Sequence, residues 1–281
     1  MQTVQDAPSL RAAIRGWRAQ GQTVGFVPTM GNLHAGHQSL VRLAQERTDR
    51  VVASVFVNPT QFGPGEDFER YPRTLAQDRA ALAELDCDLL FAPGVETMYP
   101  YGAGHSVSVH VPQITDTLEG AHRPGHFDGV AAVVCRLFNL VQPDVAVFGQ
   151  KDFQQLKVIE RMVRDLALPV KVLAAPTLRA DDGLALSSRN QYLDSDERAL
   201  APQIHQTLLA MRELVGSGQA WREVEQVAAA RLAGAGFVPD YVAIRCAADL
   251  AEPADGEREG LVALIAARLG GTRLIDNLLF D

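Results

Sequence analysis

The sequence predicts an α/β protein: a Rossmann-like, doubly wound parallel sheet over residues 1–176, then a smaller C-terminal α+β domain over 177–281. Three observations carry this. Short β-branched runs alternate with stretches of helical period through the first part of the chain. The clearest run, Val-Val-Ala-Ser-Val-Phe-Val at 51–57, is apolar almost throughout, as a parallel strand covered on both faces must be. Past a polar stretch at 176–190, two helical stripes and three strand-like runs follow, the first with one-sided alternation.

In chain order, Ser9, Leu10, Ala13 and Ile14 begin an amphipathic helix ending near Gly21. A strand at 23–27 leads through a turn to a helix at 38–47. After the 51–57 strand, Asn58-Pro59 opens a loop running to Thr74, rich in Gly and Pro. A helix at 74–85 and a strand at 88–92 complete a β-α-β-α-β alternation. Val107, Val109 and Val111 alternate within 105–111, which predicts an edge strand or hairpin arm serving dimer contacts. The run 130–141 is apolar nearly all round, the mark of a buried helix. A strand at 145–148, a helix at 153–165 and a strand at 170–173 close the sheet. Asp194 and Glu197 have capping-box spacing at the next helix start. Leu200, Ile204, Leu208 and Met211 supply its stripe, with Pro202 bending the first turns. A helix at 221–233 and strands at 241–246, 261–266 and 272–275 finish the chain.

The formal net charge of −8 gives no overall basic field for nucleic acid or an acidic membrane surface, which leaves a small-molecule role. Cys87, Cys135 and Cys246 are widely spaced among apolar residues, as expected of buried thiols in a reducing compartment. The first residues lack a signal-peptide pattern, and no apolar run approaches the roughly 18–20 residues of a membrane span. The expected location is the cytoplasm.

Four stretches fall at strand carboxyl ends or just beyond the sheet, where open α/β proteins place their sites. The first is Met30-Gly31-Asn32-Leu33-His34-Ala35-Gly36-His37. A glycine-containing turn into a helix start offers backbone N–H groups to an anion, and two histidines three apart can face one phosphate. The second is Asn58-Pro59-Thr60-Gln61, and the third Gly149-Gln150-Lys151-Asp152 with Gln155 one turn on. Lys151 is one of only three lysines, and a cation beside a helix N-terminus is unfavourable unless an anion offsets it. The fourth is Leu186-Ser187-Ser188-Arg189-Asn190, two hydroxyls beside a guanidinium. Singly, each has a bland reading as a cap, a turn or a solvated charge; together they converge on polyphosphate. No P-loop, Gly-x-Gly-x-x-Gly or Gly-x-Ser-x-Gly occurs, and Pro124-Gly125 breaks any helical metal spacing between His122 and His126.

The histidine turn resembles the "HIGH" signature of the nucleotidyltransferase superfamily. Phe56 to Phe62, Tyr71-Pro72-Arg73-Thr74, Arg123 to Val130, Phe148 to Leu156 and Ser187 to Asn190 together resemble the pantoate–β-alanine ligase family, in that family's order. The resemblance implies ATP-dependent condensation of (R)-pantoate with β-alanine to pantothenate through a pantoyl adenylate, on the route to coenzyme A. It places ATP on Met30, Gly31, Asn32, Leu33, His34, Ala35, Gly36 and His37, and on Gly149, Gln150, Lys151 and Asp152. Leu178, Leu186, Ser187, Ser188 and Arg189 would complete that ATP site. Backbone N–H groups of 30–32 and Gly36 would meet the triphosphate, with His37, His34, Lys151, Ser187, Ser188 and Arg189 as the catalytic set. Gln61 and Gln155 would hold pantoate, and Gln61 also β-alanine, with Arg123 and His126 as weaker candidates for the amino acid's carboxylate. Mg2+ would travel with ATP, with Asp78 a candidate contributor, and the family implies a homodimer with a closing C-terminal lid. Two departures are Leu186 where the family often has Met, and the missing glutamate after Arg179-Ala180-Asp181. The competing readings are another cytidylyl- or adenylyltransferase of the HIGH type, or a non-catalytic nucleotide-binding module.

Overall fold

The computed structural model describes residues 1–280. Strand β1 (Gln2–Val4) leads to helix α1 (Ala7–Arg18), whose start is capped by the Asp6 carboxylate accepting the Ser9 N–H at 2.8 Å. Then come β2 (Val24–Thr29), α2 (Ala35–Gln45), β3 (Arg50–Val55), α3 (Leu75–Glu84), β4 (Leu89–Phe91) and the short α4 (Val95–Met98). The turn α5 (Glu119–His122) precedes α6 (His126–Val141), β5 (Val145–Gly149), α7 (Phe153–Asp165) and β6 (Lys171–Ala175). These six strands form one parallel sheet in the order β1-β4-β3-β2-β5-β6.

The two-residue period of each strand explains how both faces are filled. Val24, Phe26, Val52, Leu89, Phe91, Ala146 and Phe148 point to one face, against Leu10 and Ile14 of α1, Val130 and Val134 of α6, and Ile159 of α7. Val27, Val51, Ala53, Leu90, Val145 and Val147 point to the other, against Leu40, Val41 and Ala44 of α2 and Leu82 of α3. The sheet is doubly wound, as predicted. Its direction of build-up reverses between β2 and β5, so their carboxyl ends border one crevice.

One strand was missed and one local expectation is corrected. β1 escapes the sequence pattern because three residues with one buried side chain carry no periodicity. Residues 106–111 form no strand: Val107 is 85% exposed while Val111 is 4% exposed, so the three valines share no face. Neither edge strand of the parallel sheet, β1 or β6, pairs with this segment.

The remainder begins with α8 (Ser195–Leu200), started by the predicted Asp194–Glu197 capping box. Pro202 separates it from α9 (Gln203–Gly216) rather than bending one helix, because proline lacks the N–H the ladder needs. α10 (Trp221–Gly234) and the antiparallel sheet β7 (Val238–Cys246), β8 (Leu261–Leu269) and β9 (Thr272–Phe280) follow. Ile204, Leu208, Met211, Val224 and Leu232 pack on Ile244, Ala263 and Ile265. The sheet is not buried on one side alone. Val262 and Leu264 of β8 turn the other way, onto Leu118 and Phe153, which seats the antiparallel sheet beside the start of α7.

Candidate active site

The turn after β2 is shaped by two residues in the left-handed region, Gly31 (φ 85°) and Asn32 (φ 52°). Glycine is required at 31, since a Cβ there would lie 2.8 Å from an oxygen of the Asp78 carboxylate. Asp78, buried on α3, accepts the N–H groups of Asn32 (3.1 Å) and Leu33 (2.7 Å) and the Thr74 hydroxyl (3.1 Å). The Thr29 hydroxyl accepts the Gly31 N–H at 3.2 Å. The backbone donors expected to meet a phosphate at Gly31 and Asn32 are thus spent inside the protein. Asp78 likewise does not fit as a magnesium ligand, because three protein donors already take its oxygens. It is the anchor of the turn.

The histidines are arranged differently. His34 caps α2: its Nδ1 accepts the Gly36 N–H at 3.1 Å, so that donor too is committed. The His34 N–H in turn approaches Nδ1 of His37 at 3.4 Å. With both Nδ1 atoms accepting, each neutral ring carries its proton on Nε2. The ring centroids are 4.2 Å apart, giving two adjacent N–H donors on one cleft wall. Burial first, then His34 and Lys151, push the His37 pKa down to about 3; burial and Lys151 lower that of His34. Both rings are thereby held neutral near neutral pH.

These rings border a cavity of about 220 Å³ at the β2/β5 crevice. Met30, Gly36, Gln61, Gly149, Lys151, Asp152, Gln155, Leu178, Leu186, Ser187, Ser188 and Arg189 share its walls. Gly31, Asn32, Leu33, Ala35 and Gln150 do not line it. A larger cavity of about 690 Å³, bounded partly by the antiparallel sheet, shares Met30, Gln61, Lys151, Asp152, Gln155 and Arg189 with it.

Gln61 is buried in the short 3-10 turn Pro59–Gln61. Its Oε1 accepts from Asn58 Nδ2 at 3.1 Å, and its Nε2 lies 3.2 Å from the Met30 sulfur. Asn58 itself is fixed by donating to the Gly129 carbonyl and accepting from the Tyr99 hydroxyl at 2.6 Å. The Gln155 side chain makes no hydrogen bond to protein among the described residues, and the residue lines both cavities. Its neighbour Gln154 is buried and consumed by Ile114, Thr117 and the Glu119 N–H. Arg123 and His126 are also consumed: Arg123 pairs with Glu66 at 2.6 Å and contacts His126. Neither is a carboxylate receptor in this arrangement.

From the other side, Arg179 forks onto Asp276 at 2.6 and 3.0 Å and anchors the segment leading to 186–189 on β9. The Ser187 hydroxyl accepts the Arg189 N–H at 3.3 Å, leaving its own O–H to donate. Ser188 reaches the Asn32 carbonyl at 3.3 Å, spanning the cleft. Arg189 pairs with Asp67 at 3.1 Å. Tyr71, Asp67, Asn58 and Asn277 were not assigned roles from the sequence. Only Asn58 and Tyr71 lie in stretches that had already drawn notice.

Residues 2–279 match the family described as "Pantoate-beta-alanine ligase". The chain belongs to this family. Pantothenate synthetases of Xanthomonas oryzae pv. oryzae (strain PXO99A) and Xylella fastidiosa (strain 9a5c) are 55% and 58% identical to it, each over the whole of both chains. The crystal structure of pantothenate synthetase from Thermus thermophilus superposes with a TM-score of 0.92 at 52% identity, covering 99% of each chain. Pantoate–β-alanine ligase from Francisella tularensis, complexed with "Beta-gamma ATP and Beta-alanine", gives 0.82 at 34% identity over 99% of this chain and 97% of that one. As a pantoate–β-alanine ligase, the protein is a pantothenate-forming enzyme. Among the described residues, no helix is long and apolar enough to cross a membrane.

Proposed function

We propose that the β2/β5 cleft runs the ligase reaction in two steps on one set of residues. A pantoate carboxylate oxygen attacks the α-phosphorus of ATP and pyrophosphate leaves. The β-alanine amine then attacks the acyl carbon of the pantoyl adenylate, AMP leaves with the C–O electron pair, and the amine's proton is lost to solvent. The carboxylate is already ionised near neutral pH, so the first step needs charge stabilisation rather than a base. The Nε2–H groups of His34 and His37, with Lys151, supply it from one wall. Ser187 and Arg189 supply it from the other, joined by Ser188 when its hydroxyl turns from the Asn32 carbonyl to the phosphate.

The nucleoside part of ATP lies along Gly149, Lys151 and Asp152, with Leu178 and Leu186 against the base. Gln61 and Gln155 hold pantoate, since an amide can both donate to a carboxylate and accept from hydroxyls. Gln61 also borders the larger cavity, which suits it to meet β-alanine in the second step. Mg2+ carried by ATP would supply further neutralisation of the triphosphate charge beside His34, His37 and Lys151. Residues 1–176 act as the body and 177–281 as a lid that keeps water from the adenylate, in a cytoplasmic homodimer.

The observation that carries this reading is that both Nδ1 atoms are taken by backbone N–H groups, which commits both Nε2–H donors to the wall bearing Lys151. The experiment is pyrophosphate release with ATP and pantoate, followed by amide formation on adding β-alanine. Pyrophosphate without amide would favour another nucleotidyltransferase. No pyrophosphate with either substrate set sinks the adenylate route.

A further inference from the structure

Glu119, at the start of α5, is a buried carboxylate to which the proposed chemistry gives no task. Its Oε1 accepts from Arg273 of β9 at 2.7 Å and from Arg123 at 3.3 Å. Its Oε2 accepts from the Tyr241 hydroxyl of β7 at 3.3 Å. Arg273 is held in turn by Asp240 at 2.6 Å. One carboxylate therefore joins two strands of the antiparallel sheet to a residue packed on the parallel sheet's cleft.

Arg123 carries the path onward. Its Nε and Nη2 grip Glu66 at 2.7 and 2.6 Å, and its Nη1 lies 3.1 Å from His126 Nε2. Arginine can only donate, so Nε2 of His126 accepts and the ring proton sits on Nδ1. That Nδ1–H donates to the backbone carbonyl of Gln61 at 2.8 Å, and Arg123 Nη2 reaches the same oxygen at 3.4 Å. Burial, followed by the Arg123 charge, lowers the His126 pKa to about 4, which keeps this tautomer near neutral pH. The start of α6 also presses on the turn: a Cβ at Gly129 would lie 2.3 Å from the Thr60 carbonyl oxygen.

We propose that Glu119 is a positioning residue, which ties the seating of the antiparallel sheet to the placement of Gln61 through Arg123 and His126. Two cations and three carboxylates alternate along the path, so removing the charge at its centre leaves Arg123 and Arg273 facing each other without the anion they share, each held only by its outer partner, Glu66 or Asp240. Arg123 then shifts toward Glu66, the His126 ring loses its fixed acceptor role, and the Gln61 turn is no longer pinned. The effect falls on the substrate Gln61 holds and spares ATP, whose proposed contacts lie on other turns.

The inference rests on the reading of Gln61 as a pantoate residue, so Gln61→Ala is measured alongside. In the purified full-length enzyme, Glu119→Gln should raise the KM for pantoate about tenfold while the KM for ATP stays within about twofold. Tyr241→Phe removes one hydrogen bond and no charge. It should raise the pantoate KM about threefold, and it decides the matter if Glu119→Gln does not fold. Pantoate and ATP KM values rising together, or neither rising, overturns the inference while leaving Gln61→Ala free to confirm its own role. An unchanged pantoate KM in Gln61→Ala overturns the Gln61 reading and the inference with it.

Discussion

The side-chain amide of Asn277 donates to the backbone carbonyl of Lys151 at 2.7 Å, and to that of Gln150 at 3.0 Å. A residue near the end of the chain thereby sets the turn that aims the cleft lysine. Asn277→Ala should lower kcat/KM about tenfold, and Asn277→Asp, which replaces the donor by an acceptor facing two carbonyls, should cost more. Steady-state kinetics on both variants checks this. Equal activity in wild type and Asn277→Asp would detach Lys151 from β9.

The shared tautomer of His34 and His37 makes a geometric prediction. A glutamine amide nitrogen can stand near Nε2, whereas an asparagine nitrogen stands near Nδ1. His37→Gln should therefore retain more activity than His37→Asn, with His37→Ala losing on the order of a hundredfold or more in kcat. The opposite order of Gln and Asn would place the working proton on Nδ1.

Arg189 is partly exposed and paired with Asp67, so the pair contributes at most about 1 kcal/mol. ATP must draw the guanidinium from that partner. Asp67→Asn should lower the KM for ATP by up to about fivefold, and Arg189→Lys, which loses the fork, should raise it about tenfold. A higher ATP KM in Asp67→Asn would mean that Asp67 aligns Arg189 rather than competing for it.

Burial of neutral His126 couples stability to pH. The unfolded chain takes up this proton near pH 6.5 and the folded chain only near pH 4, so the unfolded state binds more protons between these values. The stabilisation is complete above pH 6.5 and declines as the pH falls through that window, by roughly 2 kcal/mol at pH 5. Denaturant unfolding at pH 7 and pH 5 should show this loss, and His126→Gln should have a shallower dependence. Parallel pH profiles in the two proteins would remove His126 as the cause.

The parallel sheet was legible because each strand is a short apolar run and each helix carries a stripe, signals that survive without knowing the partners. The turn at 30–37 was legible as chemistry because its histidines and glycines sit together in sequence. Its wiring was not. The donors of Gly31 and Asn32 meet Thr29 and Asp78, and the second of these partners lies on another helix. Residues 106–111 alternate as a strand should, yet a strand also needs a partner to pair with, which the local pattern does not describe.

By itself, the sequence determined the alternating α/β order, the capping of the helix starts and the four stretches bearing chemistry, all set by neighbours within a few residues. Only the tertiary structure decided which of those groups remain available to a substrate. Hydrogen-bonding capacity is finite, and a buried donor or acceptor takes whatever partner the fold brings within reach. Asp78 is thereby spent on the turn, Arg123 and His126 on the Gln61 carbonyl, and Asn277 on Lys151, while Gln155 and the two histidine Nε2–H groups are left facing the cleft.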